Sequence, residues 1–196
     1  YAAEKFIPFH TPGHKIGRTA PLLLKQWMQT ALQYDLGVMY ALDDLHEPES
    51  CLKEAQSLAA QLYGAEKTWF SVNGTTAIIE TMLMGTLREG DSVIIPREAH
   101  KSVMSGVLLS GANPIYAEGV FLEAWGIQLG ITVEILERTI ADHPEATAVV
   151  FVHPNYYGVG LPIQELIEVA HSHHLIVLVD EAHGAHLPFL KTAENH

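Results

Sequence analysis

The chain has 196 residues, with 11 Lys and Arg against 23 Asp and Glu and a formal net charge of −12 at pH 7. Hydrophobic residues make up 48% of the sequence and charged residues 17%, a composition that supplies a buried core and argues against intrinsic disorder. The acidic balance argues against a nucleic-acid partner, because binding to a phosphate backbone needs clustered Lys and Arg.

The same composition bears on the compartment. A single cysteine, Cys51, excludes an intrachain disulfide and fits a reducing environment. The longest apolar runs fall far short of the roughly 20 residues of a membrane-spanning helix, and no secretory signal opens the chain. We therefore expect a cytoplasmic protein with no membrane partner. The chain starts at Tyr1 without a Met and stops at His196 soon after a strand-like run, so we also expect a piece of a longer polypeptide.

From Ser50 onward, helical and strand-like segments alternate. Apolar residues at helical spacing, with Ser50 as N-cap and Gly64 as stop signal, predict the first helix. Further helices are predicted over about 74–87, 100–109, 132–142 and 163–171, and a loop around Trp125 and Gly126. Strands are predicted over about 68–72, 91–96, 114–116, 148–152 and 175–179. The last of these runs is continuous and charge-free, which is typical of a strand covered on both faces.

This alternation predicts an α/β fold with a mainly parallel sheet flanked by helices. Ligands of such sheets bind beyond the carboxyl ends of the strands. Three of the predicted ends are polar, namely residues 73–76, 153–158 and 180–184. In the first, Gly74, Thr75 and Thr76 would offer backbone amides, two hydroxyls and a positive helix end, which suits a phosphate. An ordinary Asn-Gly turn with a Thr cap explains the same residues.

Asp180 directly follows an apolar run, where a carboxylate is costly to place unless it meets a cation or hydrogen-bond donors. In a cofactor pocket it could pair with a protonated heterocyclic nitrogen, as in enzymes that use pyridoxal phosphate (PLP). As a surface residue it could instead cap a helix. His100 precedes a predicted helix and could offer a flat ring or a proton, or serve a purely structural role.

Two other kinds of functional site match parts of the sequence around Asp180. The sequence Asp180-Glu181-Ala182-His183 also occurs in one class of helicase, but the sequence lacks the phosphate loop that such an ATP site needs. His183 and His186 could belong to a metal site, but their spacing does not match the His-Glu-x-x-His motif of a zinc-binding helix. We expect neither ATP-driven activity nor a metal.

An ordered set of motifs gives the chain a resemblance to a known family. The motifs are Phe9-His10-Thr11-Pro12-Gly13-His14-Lys15, Asp43-Asp44-Leu45-His46-Glu47-Pro48, Asn73-Gly74-Thr75-Thr76, Arg97-Glu98-Ala99-His100-Lys101-Ser102, Pro154-Asn155-Tyr156-Tyr157-Gly158 and Asp180-Glu181-Ala182-His183-Gly184. In this order they resemble the Orn/Lys/Arg decarboxylases, which are PLP-dependent enzymes of fold type I. The resemblance covers nearly the whole chain and implies the large domain of such an enzyme, truncated before its end.

The resemblance implies a set of cofactor-binding residues, which are Gly74, Thr75, Thr76, His100, Asn155, Asp180 and His183. The Gly74-Thr75-Thr76 turn would hold the cofactor phosphate, and Asn155 would lie at a strand end beside the other groups. Residues 1–50 would contribute to an active site and a dimer interface, while residues 51–196 would form the PLP-binding domain.

His100, Asp180 and His183 would be the catalytic residues. His100 would stack on the pyridine ring, Asp180 would keep the ring nitrogen protonated, and His183 would lie near the phenolic oxygen. The implied reaction is decarboxylation of a basic amino acid, with arginine slightly favoured over lysine and ornithine, in a homodimer or larger homo-oligomer that serves polyamine biosynthesis.

The sequence departs from the family in one respect. The family's Schiff-base lysine follows further along, and Lys191, the nearest lysine here, lacks its motif. These residues alone are therefore not expected to catalyse the reaction. Two alternatives stay open, namely another fold-type-I reaction (amino transfer or α-oxoamine synthesis) and a non-catalytic homologue that binds a phosphate ligand or a partner protein.

Overall fold

The structure is a computed structural model that describes residues 6–39 and 42–190; Tyr1, Lys191 and His196, discussed above, lie outside this range. The chain divides into two compact units, Tyr1–Phe70 and Ser71–His196. The first unit contains α1 (Leu22–Met28), a 3₁₀ turn (Gln29–Gln33) and α2 (Cys51–Tyr63).

The N-terminus of α2 is held by a carboxylate that precedes it in the chain. Ser50 takes the predicted N-cap position, but its side chain makes no capping hydrogen bond. Asp43 Oδ2 instead accepts hydrogen bonds from the backbone amides of Ser50 and Leu52, at 2.9 and 2.8 Å. Its Oδ1 accepts from the amides of Asp44 and Glu49, at 3.0 and 2.9 Å. Asp43 therefore supplies the cap that the sequence analysis assigned to Ser50.

The second unit is an α/β structure. Its elements in chain order are α3 (Gly74–Thr86), β1 (Ser92–Pro96), α4 (Lys101–Ser110), β2 (Asn113–Ala117), β3 (Phe121–Leu122), β4 (Ile127–Gln128), α5 (Val133–Asp142), β5 (Ala146–Val152), α6 (Ile163–Ser172), β6 (Ile176–Asp180) and a 3₁₀ turn (Leu187–Phe189). Four strands form a sheet in the order β2-β1-β5-β6, and every neighbouring pair is parallel. This confirms the predicted fold class.

The two central strands are buried on both faces. The residues buried on the α5 and α6 side include Ile94, Leu136, Val149, Phe151 and Leu166. Those buried on the α3 and α4 side include Leu83, Val93, Ile95, Val103 and Val150. Because successive side chains of a strand point to opposite faces, such a strand needs an apolar residue at every position. This explains the unbroken apolar runs at residues 93–95 of β1 and 148–152 of β5.

The prediction that the last strand is covered on both faces is wrong. In β6, Leu178 and Asp180 are buried, but Ile176 is 49% exposed and the alternate positions Val177 and Val179 are only half-buried. The strand lies at the edge of the described sheet, where it pairs only with β5. The β-branched run therefore predicted the strand correctly, but it did not predict how far the strand is buried.

Two further predictions need correction. Residues 68–72 form no strand, and Trp69 and Val72 there are 71% and 81% exposed. Their composition favours a strand, but a strand needs a hydrogen-bonded neighbour, and none of the described residues pairs with them. The predicted loop around Trp125 and Gly126 is the turn of a short antiparallel hairpin formed by β3 and β4.

Among the described residues, no helix is long and apolar enough to cross a membrane.

Candidate active site

A cavity of about 540 Å³ lies at the carboxyl ends of β1, β5 and β6 in the second unit. This is the edge at which parallel sheets bind ligands. The predicted site residues that line it are Thr75, Thr76, His100, Asp180 and His183.

One wall of the cavity is the N-terminus of α3. Gly74 begins the helix with a φ of +74°, a conformation that favours glycine, and Thr75 and Thr76 follow in the first turn. Asn73 occupies the N-cap position without a side-chain capping bond, and the first turn carries no acidic residue. The first amides of a helix have no partner within it, so these donors and the two hydroxyls could together hold a phosphate.

A second wall is the N-terminus of α4, where His100 is the N-cap residue. Its Nδ1 accepts a hydrogen bond from the backbone amide of Ser102 at 3.2 Å and lies 2.8 Å from the Ser102 hydroxyl oxygen. Ser102 is buried, whereas His100 is exposed and lines the cavity. A flat ring is thus fixed in place at the cavity surface.

Asp180 ends β6 and is only 5% exposed. Its Oδ1 accepts a hydrogen bond from the amide of Ala182 at 3.1 Å, and its backbone carbonyl accepts one from the amide of His153 at 3.0 Å. The carboxylate is therefore held against the loop that follows the strand rather than free at the surface. A buried carboxylate in a cavity wall can stabilise a protonated nitrogen of a ligand.

His183 and Tyr156 form a partition between this cavity and a second one of about 740 Å³, and both residues line both cavities. Their rings meet edge to face, with centroids 6.1 Å apart and an interplanar angle of 83°. His186 lines only the second cavity. Among residues 6–39 and 42–190, no group of three or more His, Cys, Asp and Glu is placed to hold a metal ion.

The structure does not bring Asn155 into the first cavity. Asn155 is 2% exposed, lines the second cavity, and donates from Nδ2 to the backbone carbonyl of Gln128 at 2.9 Å. Its Oδ1 accepts from the amides of Tyr157 and Val159, at 3.0 Å each. In this structure Asn155 shapes the loop after β5, and a contact to the cofactor stays a prediction.

Sequence reasoning missed an acidic group in the cavity wall, Glu98. It follows β1, lines the cavity, and has a buried Oε2 with no hydrogen-bond partner among the described residues. Burial raises the pKa of its carboxyl group. The signal that singled out Asp180, an acid just past an apolar strand, applies to Glu98 as well. The sequence analysis quoted Glu98 only as part of a motif and assigned it no role.

The chain matches, over residues 1–196, the family described as Orn/Lys/Arg decarboxylase, major domain. The chain belongs to this family. Among curated proteins, an arginine decarboxylase of Bacillus subtilis is 42% identical over 190 residues, which cover 96% of this chain and 39% of the relative. The lysine decarboxylase LdcA of Pseudomonas aeruginosa is 31% identical over 123 residues, 59% of this chain and 16% of the relative. The chain thus spans about two fifths of the length of the first relative.

Solved structures agree with this membership at the level of the fold. The constitutive lysine decarboxylase of Escherichia coli matches with a TM-score of 0.68 at 24% identity, over 80% of this chain and 24% of that one. A serine palmitoyltransferase of S. paucimobilis with bound PLP matches with a TM-score of 0.53 at 21% identity, over 65% of this chain and 30% of that one. The fold is that of the fold-type-I PLP enzymes, as the sequence implied.

Pyridoxal phosphate is the cofactor that goes with this decarboxylase family, and the described residues fit it. The fit rests on the set of chemical groups around the cavity. Amides and hydroxyls at the start of α3 suit the phosphate, the buried carboxylate of Asp180 suits a protonated ring nitrogen, and the His100 ring suits a flat heterocycle.

Proposed function

We propose that this chain is the cofactor-binding part of a PLP-dependent decarboxylase that converts a basic amino acid, with arginine as the first candidate, to its amine. The observation that carries the proposal is the cavity that gathers Thr75, Thr76, His100, Asp180 and His183 in a member of this family. Arginine is favoured because the arginine decarboxylase named above matches nearly the whole chain, and the lysine decarboxylase matches a shorter part at lower identity.

The α3 end of the cavity binds the cofactor's phosphate. The Thr75 and Thr76 hydroxyls and the first amides of the helix donate hydrogen bonds, and the helix dipole favours the negative charge. Gly74 lets the chain turn into the helix at a positive φ. We assign binding and orientation of the phosphate to these three residues.

His100 and Asp180 orient and tune the ring. His100 would cover one face of the heterocycle and exclude water from it. Asp180 keeps a proton on the ring nitrogen, since a buried carboxylate strongly favours a neighbouring positive charge. Bound PLP supplies a conjugated ring that accepts the electrons left when carbon dioxide departs. His183, whose ring contacts Tyr156 edge to face, would lie beside the bound ring on the side of its phenolic oxygen.

Other parts of the proposal concern the whole protein. We propose that residues 1–50 contribute to the active site and a dimer interface, and that residues 51–196 belong to the PLP-binding domain. We also propose that the lysine that binds the cofactor covalently comes from outside these 196 residues, and that the protein is a cytoplasmic homo-oligomer that serves polyamine biosynthesis. These points rest on family membership and on the 39% of the relative's length that the chain spans.

The experiment measures carbon dioxide release from arginine, lysine and ornithine by the full-length protein with PLP. Asp180→Asn keeps an oxygen that can accept from Ala182 but removes the charge, so we expect decarboxylation to fall about 100-fold, as for loss of one preorganised electrostatic contact. Asp142→Asn, at the exposed end of α5, is the matched control and should be unaffected.

Two results would overturn the proposal. Transfer of the amino group to a 2-oxo acid without release of carbon dioxide would identify an aminotransferase. Failure of the full-length protein to bind PLP would leave a homologue that binds some other phosphate ligand.

A further inference from the structure

None of the roles assigned above recognises the distal cation of a basic substrate. Two carboxyl groups line the described wall of the first cavity, but neither is well placed to do so. Asp180 is only 5% exposed and is already assigned to the ring nitrogen. Glu98 has an Oε2 that is shielded from solvent, and burial raises the pKa of the group and so disfavours its charge. The cation therefore needs another partner.

Tyr156 offers such a partner at a place that a ligand can reach. It follows β5, lines both cavities and is 81% exposed. The face of an aromatic ring carries partial negative charge and attracts a cation without any carboxylate. His183 also lines both cavities, but an imidazole can itself become positively charged, so its ring is the poorer partner.

Contacts within the protein orient the ring of Tyr156. It meets the ring of Tyr157 edge to face, with centroids 5.6 Å apart at 88°, and it meets the ring of His183 at 6.1 Å and 83°. The loop that carries it is held by Asn155, whose Oδ1 accepts from the amides of Tyr157 and Val159. A surface that is ordered before binding has less conformational entropy to lose when a ligand arrives.

The second cavity has the volume and the charge to receive a guanidinium. It encloses about 740 Å³, and none of the described residues that line it is Asp, Glu, Lys or Arg. Lys101, which would repel a cation, lines the first cavity and not the second. A cation in the second cavity thus meets neither an ion-pair partner nor a permanent like charge there. The face of Tyr156 is then the group that distinguishes a charged ligand from an uncharged one.

We propose that Tyr156 is the specificity residue of this site and that the guanidinium of arginine packs against its ring at the boundary of the two cavities. The inference rests on the proposed function and names the residue that selects its substrate. Because Tyr156 lines both cavities, a substrate held at the cofactor in the first can extend its side chain past this ring into the second. A guanidinium is planar and more weakly hydrated than an ammonium, so an aromatic face favours arginine over lysine and ornithine.

The experiment compares arginine with citrulline, its uncharged isostere, using the full-length protein loaded with PLP. Tyr156→Leu removes the ring and keeps apolar bulk, and we expect it to lower kcat/KM for arginine about 2- to 30-fold, the range for loss of a cation over an aromatic face. The value for citrulline should stay the same, so the preference for arginine should fall by that factor. Tyr156→Phe keeps the face and should keep the preference. Tyr157→Leu changes a neighbouring tyrosine that lines neither cavity and is the matched control, which should also keep it.

A second readout needs no turnover. Calorimetry measures the Kd of agmatine, the amine that arginine decarboxylation yields, and we expect it to rise by a similar factor in Tyr156→Leu. Phenylalanines with increasing numbers of ring fluorines at position 156 keep the shape of the ring but withdraw electrons from its face. The Kd of agmatine should therefore rise with each added fluorine. Equal Kd values for Tyr156→Phe and the fluorinated variants would show that only shape matters and would overturn the inference.

The failures can be told apart. If the wild-type protein decarboxylates no basic amino acid, the proposed function fails and takes this inference with it. If the wild type prefers arginine to citrulline and Tyr156→Leu keeps that preference and the agmatine Kd, this inference alone is wrong. A lower melting temperature of Tyr156→Leu with an unchanged preference would show that another part of the protein covers the ring, which would overturn the inference as well.

Discussion

His100 and Ser102 form a closed local unit at the start of α4, in which the Ser102 amide donates to His100 Nδ1 at 3.2 Å and the Ser102 hydroxyl lies 2.8 Å from the same nitrogen. A nitrogen that accepts from a backbone amide cannot carry a proton. The neutral ring is therefore protonated at Nε2, and its orientation is set by the helix that it caps.

Ser102→Ala tests this arrangement. Removing the hydroxyl loosens the ring, so we expect PLP affinity to fall about 2- to 12-fold, which corresponds to the roughly 0.5–1.5 kcal/mol of one hydrogen bond. NMR of histidine ¹⁵N nuclei should also show the His100 Nδ1 resonance moving, with or without cofactor. Ser105→Ala, on the same helix, is the control. An unchanged Nδ1 resonance in Ser102→Ala would contradict the prediction.

The phosphate end of the cavity is tested by comparing PLP with pyridoxal, which lacks the phosphate. Thr75→Val and Thr76→Val keep the side-chain shape and remove the hydroxyl donors. We expect each variant to weaken PLP binding about 10-fold or more, since hydrogen bonds to charged groups contribute about 1.5–3 kcal/mol. Pyridoxal binding, followed by absorbance titration, should change little, and Thr81→Val in the middle of α3 should affect neither ligand. Equal weakening of PLP and pyridoxal would show that these residues do not bind the phosphate.

The packing of α3 against α4 depends on Gly106. A Cβ there would lie 2.5 Å from Leu83 Cδ1 and 3.3 Å from Glu80 Cα, so the helices would have to move apart. We expect Gly106→Ala to lower the free energy of unfolding by about 1–3 kcal/mol in denaturant titrations followed by circular dichroism. Gly85→Ala is the opposite case, because nothing lies within 4 Å of its added Cβ, and it should stabilise α3 by up to about 1 kcal/mol. The same sign of effect for both variants would refute this account.

Asp43 makes the stability of the first unit depend on pH. The hydrogen bond from the Glu49 amide is the largest cause that holds the pKa of Asp43 well below its ordinary value of 3.8. Burial opposes it, and hydrogen bonds from the amides of Leu52, Ser50 and Asp44 lower the pKa further. A carboxyl group whose pKa is lower when folded adds stability above its unfolded pKa and loses it as the pH falls towards the folded pKa.

We therefore expect thermal melts of the wild type to lose stability progressively below about pH 4. Asp43→Asn should be less stable at pH 7 and should show a weaker dependence on pH in that acid range. Glu66→Gln, an exposed acid of the same unit, should follow the wild type. If Asp43→Asn and the wild type lost stability in parallel on acidification, the capping role of Asp43 would be refuted.

The strands and helices of the second unit were largely predictable from the sequence because burial on two faces leaves a pattern that can be read. The buried parts of β1 and β5, residues 93–95 and 148–152, are apolar at every position for that reason. Residues 68–72 show the limit of such patterns. A strand forms only where another strand lies beside it, and the local sequence does not tell whether one does. The capping of α2 is similar, because Asp43 reaches the helix from seven residues before Ser50.

The residues of the candidate site were also predictable only in part. Thr75 and Thr76 could be predicted because they lie in the first turn of a helix, whose N-terminus suits a phosphate. Asp180 could be predicted because the carboxyl ends of parallel strands meet at one edge of a sheet, so that a position just after a strand indicates closeness in space. Asn155 and Glu98 could not be separated by that rule, since both follow a strand. Only their contacts show that Asn155 uses its side chain to hold its own loop and to bind the Gln128 carbonyl, while Glu98 lines the cavity.

The pairing of Val152 with Asp180 in the parallel ladder has a consequence for how the sequence can vary. A shift of one residue along β6 would move every side chain of the strand to the other face and would take the Asp180 carboxylate out of the cavity. A one-residue deletion inside β6 should therefore abolish the site even if the sheet still forms. A deletion in the turn between α6 and β6 can be absorbed without such a shift, so length variation among homologues should concentrate there.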